Sequence, residues 1–224
     1  MEQATIDKGG RPATTSASKL ATAARELFIS QGFERTSVED IAAAVGVSRR
    51  TFFRYFPTKA DVLWLESDAE IDRLNAYLAA DEGIYPPRQV LESAIVAALM
   101  FRPADERWAR YRAQLVLTVP SVHTQAARMY HRIHESVIAF LARRGIWLAD
   151  EMAALTFAHA TTAAIMAAHE YWITHPETTL PDCLQSTIRL LVPEDPGTEG
   201  MAPHLPATAA SIGMSRGPAI RSGW

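Results

Sequence analysis

Two short helical stretches separated by one glycine, the second bearing three arginines, constrain this chain more than any other feature. In "TSVEDIAAAVGVSRRTFFRYFPTKADVL", residues 36–63, Thr36 or Ser37 can cap a helix, and Glu39 stands three residues after Thr36 as in a capping box. Val38, Ile41, Ala42 and Val45 give that helix an apolar face, and it lasts only about two turns. Gly46 can take the left-handed conformation that ends a helix and turns the chain sharply. Ser48 is a ready cap for a third helix running to about Phe56. Pro57 stops it, because proline disfavours helix in the residue before it. Upstream, Leu20, Ala24, Leu27 and Phe28 form an i, i+4, i+7, i+8 stripe, which predicts a helix over about residues 16–31, ended by Gly32. Downstream, Thr58 can cap a longer helix with Val62, Leu63, Ile71, Leu74 and Leu78 as its apolar residues. Two short helices about a glycine turn, braced by a third, have the form of a helix-turn-helix unit.

The rest of the chain keeps the helical period, with segments predicted at about 87–102, 104–118, 121–144, 149–175 and 182–192. No strong strand alternation interrupts them. The expected fold is therefore all-α, a three-helix helix-turn-helix domain followed by a helical bundle. The expected divisions are an N-terminal arm over 1–13, the helix-turn-helix over 14–60, the bundle over 61–192 and a disordered tail over 193–224. That tail holds five prolines and five glycines but a single aromatic, Trp224, too little apolar surface to fold alone. No apolar run reaches the ~18 residues of a membrane span, and the first residues lack the apolar core of a secretory signal. A single cysteine, Cys183, excludes an intramolecular disulfide framework and a cysteine-based zinc site. A cytoplasmic, nucleoid-associated protein with no membrane partner is expected.

The formal net charge of −3 hides an asymmetry: residues 1–60 carry nine Lys or Arg against six Asp or Glu, and residues 61–224 carry thirteen against nineteen. A basic N-terminal segment on an acidic body suits contact of that segment alone with a polyanion. In a helix-turn-helix the second helix enters the major groove, and its first turns here present Arg49, Arg50 and Thr51. An arginine fork can bond O6 and N7 of guanine, and a threonine methyl can meet the methyl of thymine. Thr36 and Ser37, at a helix N-terminus, and Arg54, Tyr55 and Lys59, beyond the arginine helix, are the expected phosphate contacts. Phe52 and Phe56 are expected to build the platform beneath the cations. Three arginines on a helix are in themselves an ordinary solvated face; the unbroken order of cap, glycine turn, arginine helix and proline stop is what points to duplex DNA.

Those residues carry a resemblance. "LFISQGFERTSVEDIAAAVGVSRRTFFRYFPTKADVL", residues 27–63, resembles the DNA-binding domain of TetR-type transcriptional regulators, the match spanning about residues 14–63. The resemblance implies a homodimer, three DNA-binding helices and a six-helix ligand-binding and dimerisation domain in each subunit, and a palindromic operator released when a small molecule binds. It places recognition-helix positions on Ser48, Arg49, Arg50 and Thr51, and phosphate-contacting positions on Thr36, Tyr55 and Lys59. Phe53 stands where such proteins often carry a tyrosine, which removes a hydroxyl from that surface. "RRTFFRYFPTKADVLW" with "QLVLTVPSVHT" is also similar to regulators linked to mycofactocin maturation clusters in actinobacteria, which implies an acyl-coenzyme A thioester effector.

Ligand sites in helical bundles lie between helices and are mostly apolar. Phe101, Trp108, Tyr111 and Leu115 are candidates on the earlier bundle helices, and His123, Met129, Ile133 and Met166 on the later ones, for an acyl-CoA or another hydrophobic ligand. Phe157 and Trp172 belong to the same set. Arg107, Arg110 and Arg112 read as a solvated charge cluster to which an anionic ligand could dock. The alanine-rich segments 149–175 and 182–192 suit close approach to a second subunit, with Cys183 near that surface. His131 and His134 form an H-x-x-H without the Glu-x-x-His pairs of a di-iron bundle, and the hydrolase, P-loop and dinucleotide signatures are missing. Neither catalysis, metal nor cofactor is expected.

Overall fold

The computed structural model describes residues 13–146 and 150–194, with side chains from residue 17 onward, and those residues form helices and turns without a strand. The expected N-terminal arm and nearly all of the expected tail lie outside the described residues. Helix α1 (Ala13–Gln31) ends at Gly32, whose φ of 93° lets its N–H reach the Phe28 carbonyl at 3.0 Å. Helix α2 (Val38–Ala44) is capped by Ser37, not Thr36. Ser37 Oγ accepts the Asp40 N–H at 3.0 Å, and the Asp40 carboxylate accepts the Ser37 N–H at 2.8 Å. The capping box thus stands one residue beyond its expected place. The cause is local: Thr36 is buried and its hydroxyl donates back to the Gly32 carbonyl at 2.9 Å.

Gly46, at φ 71°, closes α2 with two bonds, its own N–H to the Ala43 carbonyl (3.0 Å) and that of Val47 to the Ala42 carbonyl (2.9 Å). This is the reciprocal pair of a glycine-terminated helix. Helix α3 (Arg49–Tyr55) then starts from Ser48, whose Oγ accepts the Thr51 N–H at 3.1 Å. Phe28, Ile41, Phe52 and Phe56 are all buried between the three helices, so Phe52 and Phe56 are the platform that the sequence predicts.

The single long helix predicted from Thr58 is instead two elements, a 3-10 turn over Lys59–Trp64 and α4 (Ser67–Ala79). Val62 and Leu63 belong to the core beneath α1–α3, whereas Ile71, Leu74 and Leu78 belong to the core of the body. One straight helix cannot aim both sets at once, and the 3-10 turn supplies the rotation.

The body contains α5 (Pro87–Leu99), α6 (Glu106–Thr118), α7 (Pro120–Arg143), α8 (Glu151–Thr174) and α9 (Leu180–Leu191). Packing does not stop at residue 60: Trp108, Leu115 and Val116 of α6 and Val122 and Ala126 of α7 complete the core under α1–α3. Helix α8 packs along α9 and α7, burying Ala154, Phe157, Ala158, Ile165 and Trp172. Met152 and Leu155 of α8 and Leu190 of α9 remain exposed, Leu190 at 82%. Cys183 is buried in the body core, with Sγ 3.5 Å from Thr178 Oγ1.

Substituting Phe52→Ala deletes a fully buried ring at the centre of the α1–α3 core and should cost about 3–5 kcal/mol. Phe53→Ala, at a ring 42% exposed, should cost less than about 1 kcal/mol. Denaturant unfolding followed by circular dichroism checks the difference between these neighbours.

Candidate functional site

Two places on the molecule concentrate chemistry: the outer face of α3, and a cavity where the helix-turn-helix meets the body. On α3, Arg49, Arg50 and Arg54 are exposed while Phe52 faces inward. Arg49 pairs with Glu39 of α2 at 2.7 Å and lies over the Phe53 ring at 5.3 Å. Arg54 donates to the Tyr55 hydroxyl at 3.0 Å and stacks on its ring. Ser48 and Thr51 join their hydroxyls at 3.0 Å. Arg50 makes no ion pair or hydrogen bond among the described residues, so its fork is free for an acceptor.

The residues expected to flank them behave differently. Thr36 is buried with its hydroxyl committed, so it cannot present that group at the surface. Ser37 is committed to Asp40, whose carboxylate already occupies the start of α2; bonds from Ser37 hold that carboxyl below its ordinary range. Lys59 turns inward and donates from Nζ to the carbonyls of Phe33 (2.6 Å) and Thr36 (3.0 Å). Burial lowers its pKa, with Glu34 opposing. Lys59 is therefore a brace that fixes the turn between α1 and α2.

A seam of polar contacts ties this unit to the body. The Phe33 N–H donates to the Tyr111 hydroxyl at 3.0 Å. Gln125 of α7 receives the Trp64 indole N–H at 2.9 Å and donates to the Thr58 hydroxyl at 3.2 Å. Arg25 of α1 pairs with Glu66 at 2.7 Å, and Arg112 of α6 binds Glu70 of α4 through two bonds of 2.7 and 3.1 Å. Burial alone would raise the Glu70 carboxyl, but Arg112, then Arg73 and His169, outweigh it and hold that carboxyl low.

Behind the seam lies a cavity of about 350 Å³, within the range of small-molecule sites. Trp108, Met129, Ile133 and Phe101 line it as expected, as does Trp172. A smaller cavity of about 170 Å³ shares the Phe101–Trp172 wall and continues toward Leu184 of α9. Five candidates lie outside this lining. Tyr111 spends its hydroxyl on Phe33, Leu115 fills the α1–α3 core, and the His123 ring nitrogen bonds the Val116 carbonyl at 3.1 Å. Neither Met166 nor Phe157 lines the cavity; the latter is buried in the body core.

The polar lining escaped the sequence. Arg112 is not on a solvated face; it is buried under the Trp64 ring at 5.2 Å. Arg110 is laced to the Trp172 and Thr178 carbonyls at 2.5 and 3.0 Å, and only Arg107 of that cluster is exposed. Four arginines (25, 73, 102 and 112) face two glutamates and one aspartate (66, 70 and 105) around the cavity. His169 also lines it; burial, and then Arg112, lower its pKa against the opposing bond to the Ile165 carbonyl at 2.8 Å. One signal was available: Trp108, Arg112 and Leu115 follow i, i+4, i+7, which puts an arginine inside an apolar stripe.

Comparison with known proteins agrees with this geometry. Residues 20–63 match the family of bacterial regulatory proteins, tetR family, and residues 85–196 match the MftR C-terminal domain. The protein described as the mycofactocin biosynthesis transcriptional regulator MftR of Mycobacterium tuberculosis is 28% identical over 175 residues, covering 78% of this chain and 88% of that one. Among solved structures, Thermus thermophilus FadR, a TetR-family repressor in complex with lauroyl-CoA, superposes with a TM-score of 0.57 at 22% identity, over 82% of this chain and all of that one. Native NalD of Pseudomonas aeruginosa, a secondary repressor of the MexAB-OprM multidrug efflux pump, also gives 0.57, at 21% identity over 81% and 98%. These structural likenesses are of fold.

The depressed Glu70 carboxyl gives stability a sign with pH. Glu70 binds its proton less readily folded than unfolded, so its contribution is full above the ordinary value of 4.5 and is lost as pH falls through the lower folded value. Glu70→Gln should lower stability at neutral pH, by up to about 3–5 kcal/mol, because it strands a buried guanidinium. It should also flatten the fall in Tm between neutral pH and about pH 3. Thermal melts of the two proteins across that range check both effects.

Proposed function

From the premise that this chain belongs to the TetR family of bacterial regulatory proteins and is a DNA-binding transcriptional regulator, we propose that it is a ligand-released repressor acting as a dimer on a palindromic operator. The observation that carries the reading is the junction itself. An exposed cationic helix on an aromatic platform is held, through a polar seam, against a cavity of effector size. Family members act as dimers and bind DNA and small molecules. The exposed apolar residues on α8 and α9 supply the surface for the second subunit.

In this reading α3 lies in the major groove. Arg50, unpaired and exposed, reads a base edge together with Thr51 and Ser48, while Arg49 exchanges Glu39 for the DNA. Arg54 and Tyr55 hold phosphates on the flank. Two recognition helices of a dimer must be roughly 34 Å apart to meet successive major grooves. A ligand that binds better to another spacing releases the operator by differential affinity alone.

The effector fits an apolar body with an anionic end. The cavity wall is formed by Phe101, Trp108, Met129 and Trp172, and its polar part is dominated by guanidinium groups. An acyl-CoA thioester has that character, and the lauroyl-CoA complex of the Thermus FadR supports testing it first.

Selection of bound duplexes from a random pool should recover a two-fold symmetric motif; recovery of no motif at moderate salt contradicts the operator reading. On the selected site, Arg50→Ala should lose about 5–150-fold in affinity and relax preference at one base pair, the value of a bidentate base contact of about 1–3 kcal/mol. Arg54→Ala should weaken all sequences alike and reduce the salt slope by about 1. A salt titration by fluorescence anisotropy separates the two roles.

A further inference from the structure

Arg25 belongs to α1, one of the three helices of the DNA-binding unit, yet its side chain lines the effector cavity of the body. It is the residue of α1–α3 that does so among the described residues. Its Nη2 donates to Glu66, the residue that precedes α4, at 2.7 Å, and its guanidinium lies over the Trp108 ring at 5.2 Å. Its Nε is buried with no acceptor supplied by the protein, and the same is true of Trp172 Nε1 on the wall of the same cavity. Buried donors normally find partners, since leaving one unmade forfeits its hydration.

Arg25 also differs from the other guanidinium groups of the lining. Arg112 is locked to Glu70 through two bonds, Arg73 donates twice to the Ala98 carbonyl at 3.2 and 2.7 Å, and Arg102 is held by Asp105 at 2.7 and 3.2 Å. Arg25 holds its partner by one bond, and that partner, Glu66, is 58% exposed. A half-solvated carboxylate is a weak competitor for a guanidinium.

We propose that Arg25 is the residue through which the effector's anionic group is read and passed to the DNA-binding unit: the anion replaces Glu66 on Arg25. The Arg25–Glu66 pair ties α1 to the start of α4. Its exchange for a ligand bond unfastens that tie and draws α1 toward the cavity, changing the angle at which α1–α3 are presented. The proposal rests on the cavity being the effector site. Arg25 is thus both a ligand contact and a coupling residue, and Glu66 is its built-in competitor.

The two ends of the pair predict opposite signs. With lauroyl-CoA as the probe and dodecanol as its uncharged counterpart, Arg25→Gln should bind lauroyl-CoA about tenfold more weakly by calorimetry and retain operator DNA at saturating probe. Glu66→Gln, at an exposed position, should bind lauroyl-CoA several-fold more tightly and release operator at lower probe concentration. Dodecanol binding should be alike in all variants, and Arg25→Lys should recover part of the release. A merely structural pair would move both variants in the same direction, and that result overturns the proposal. So does Arg25→Gln releasing operator as the wild type does. A wild type that binds neither probe overturns the cavity reading itself, an outcome distinct from equal responses in wild type and variants.

Discussion

The bidentate pair between Arg112 and Glu70 is the contact on which the rest of the arrangement depends. It joins α6 to α4 within a few residues of the point where the chain leaves one core and enters the other. Both side chains are largely withdrawn from water, at 19% and 11% exposure. Two ions in such a place cost desolvation that their attraction barely repays, so the pair contributes placement more than net stability. What it places is α4, whose first turn follows the 3-10 segment that hangs from α3. The tilt of the DNA-facing helix is therefore referred, through Trp64 and Glu70, to the body helix that also walls the cavity.

The apolar parts were legible in the sequence because their periods are local. The stripe of α1, the glycine turn, the Ser48 cap and the inward Phe52 and Phe56 each follow from residues within a turn or two of one another. The misplaced cap shows the limit. Thr36 and Ser37 are both capping residues three before an acid, and only the buried hydroxyl bond from Thr36 to Gly32 decides between them. Likewise the break near Leu65 depends on there being two cores, which no single helical period can announce.

The candidate site was legible by half. Trp108, Met129 and Ile133 line the cavity because apolar residues on the inner faces of bundle helices converge wherever a void forms, and Phe101 joins them from the connection after α5. Tyr111, Leu115 and His123 sit on the same helices but serve the seam or the α1–α3 core, a difference of one helical turn that only the docking of two cores resolves. The arginines were the larger omission. Arg112 and Arg25 have partners 42 and 41 residues away, and a charged side chain reads as solvated until its distant partner is known.

These long-range arginine contacts bear on why the junction can be a switch. Apolar burial is non-directional and responds to area alone, so a seam made of Leu and Phe would hold α1–α3 against the body whatever occupied the cavity. Trp108, Leu115, Val116, Val122 and Ala126 supply such an apolar hold here, and beside it run directed, exchangeable bonds: one from Arg25 to Glu66, one from Phe33 to Tyr111, and two through Gln125. Each has a donor or acceptor that another group of like charge can satisfy, so the cost of breaking it falls to the difference between two partners. An anion entering the cavity can lower that cost at Arg25 without disturbing Arg112, whose two bonds to Glu70 keep α4 on the body. Rigid attachment at one arginine and replaceable attachment at the other lets one end of the junction move while the fold stays whole.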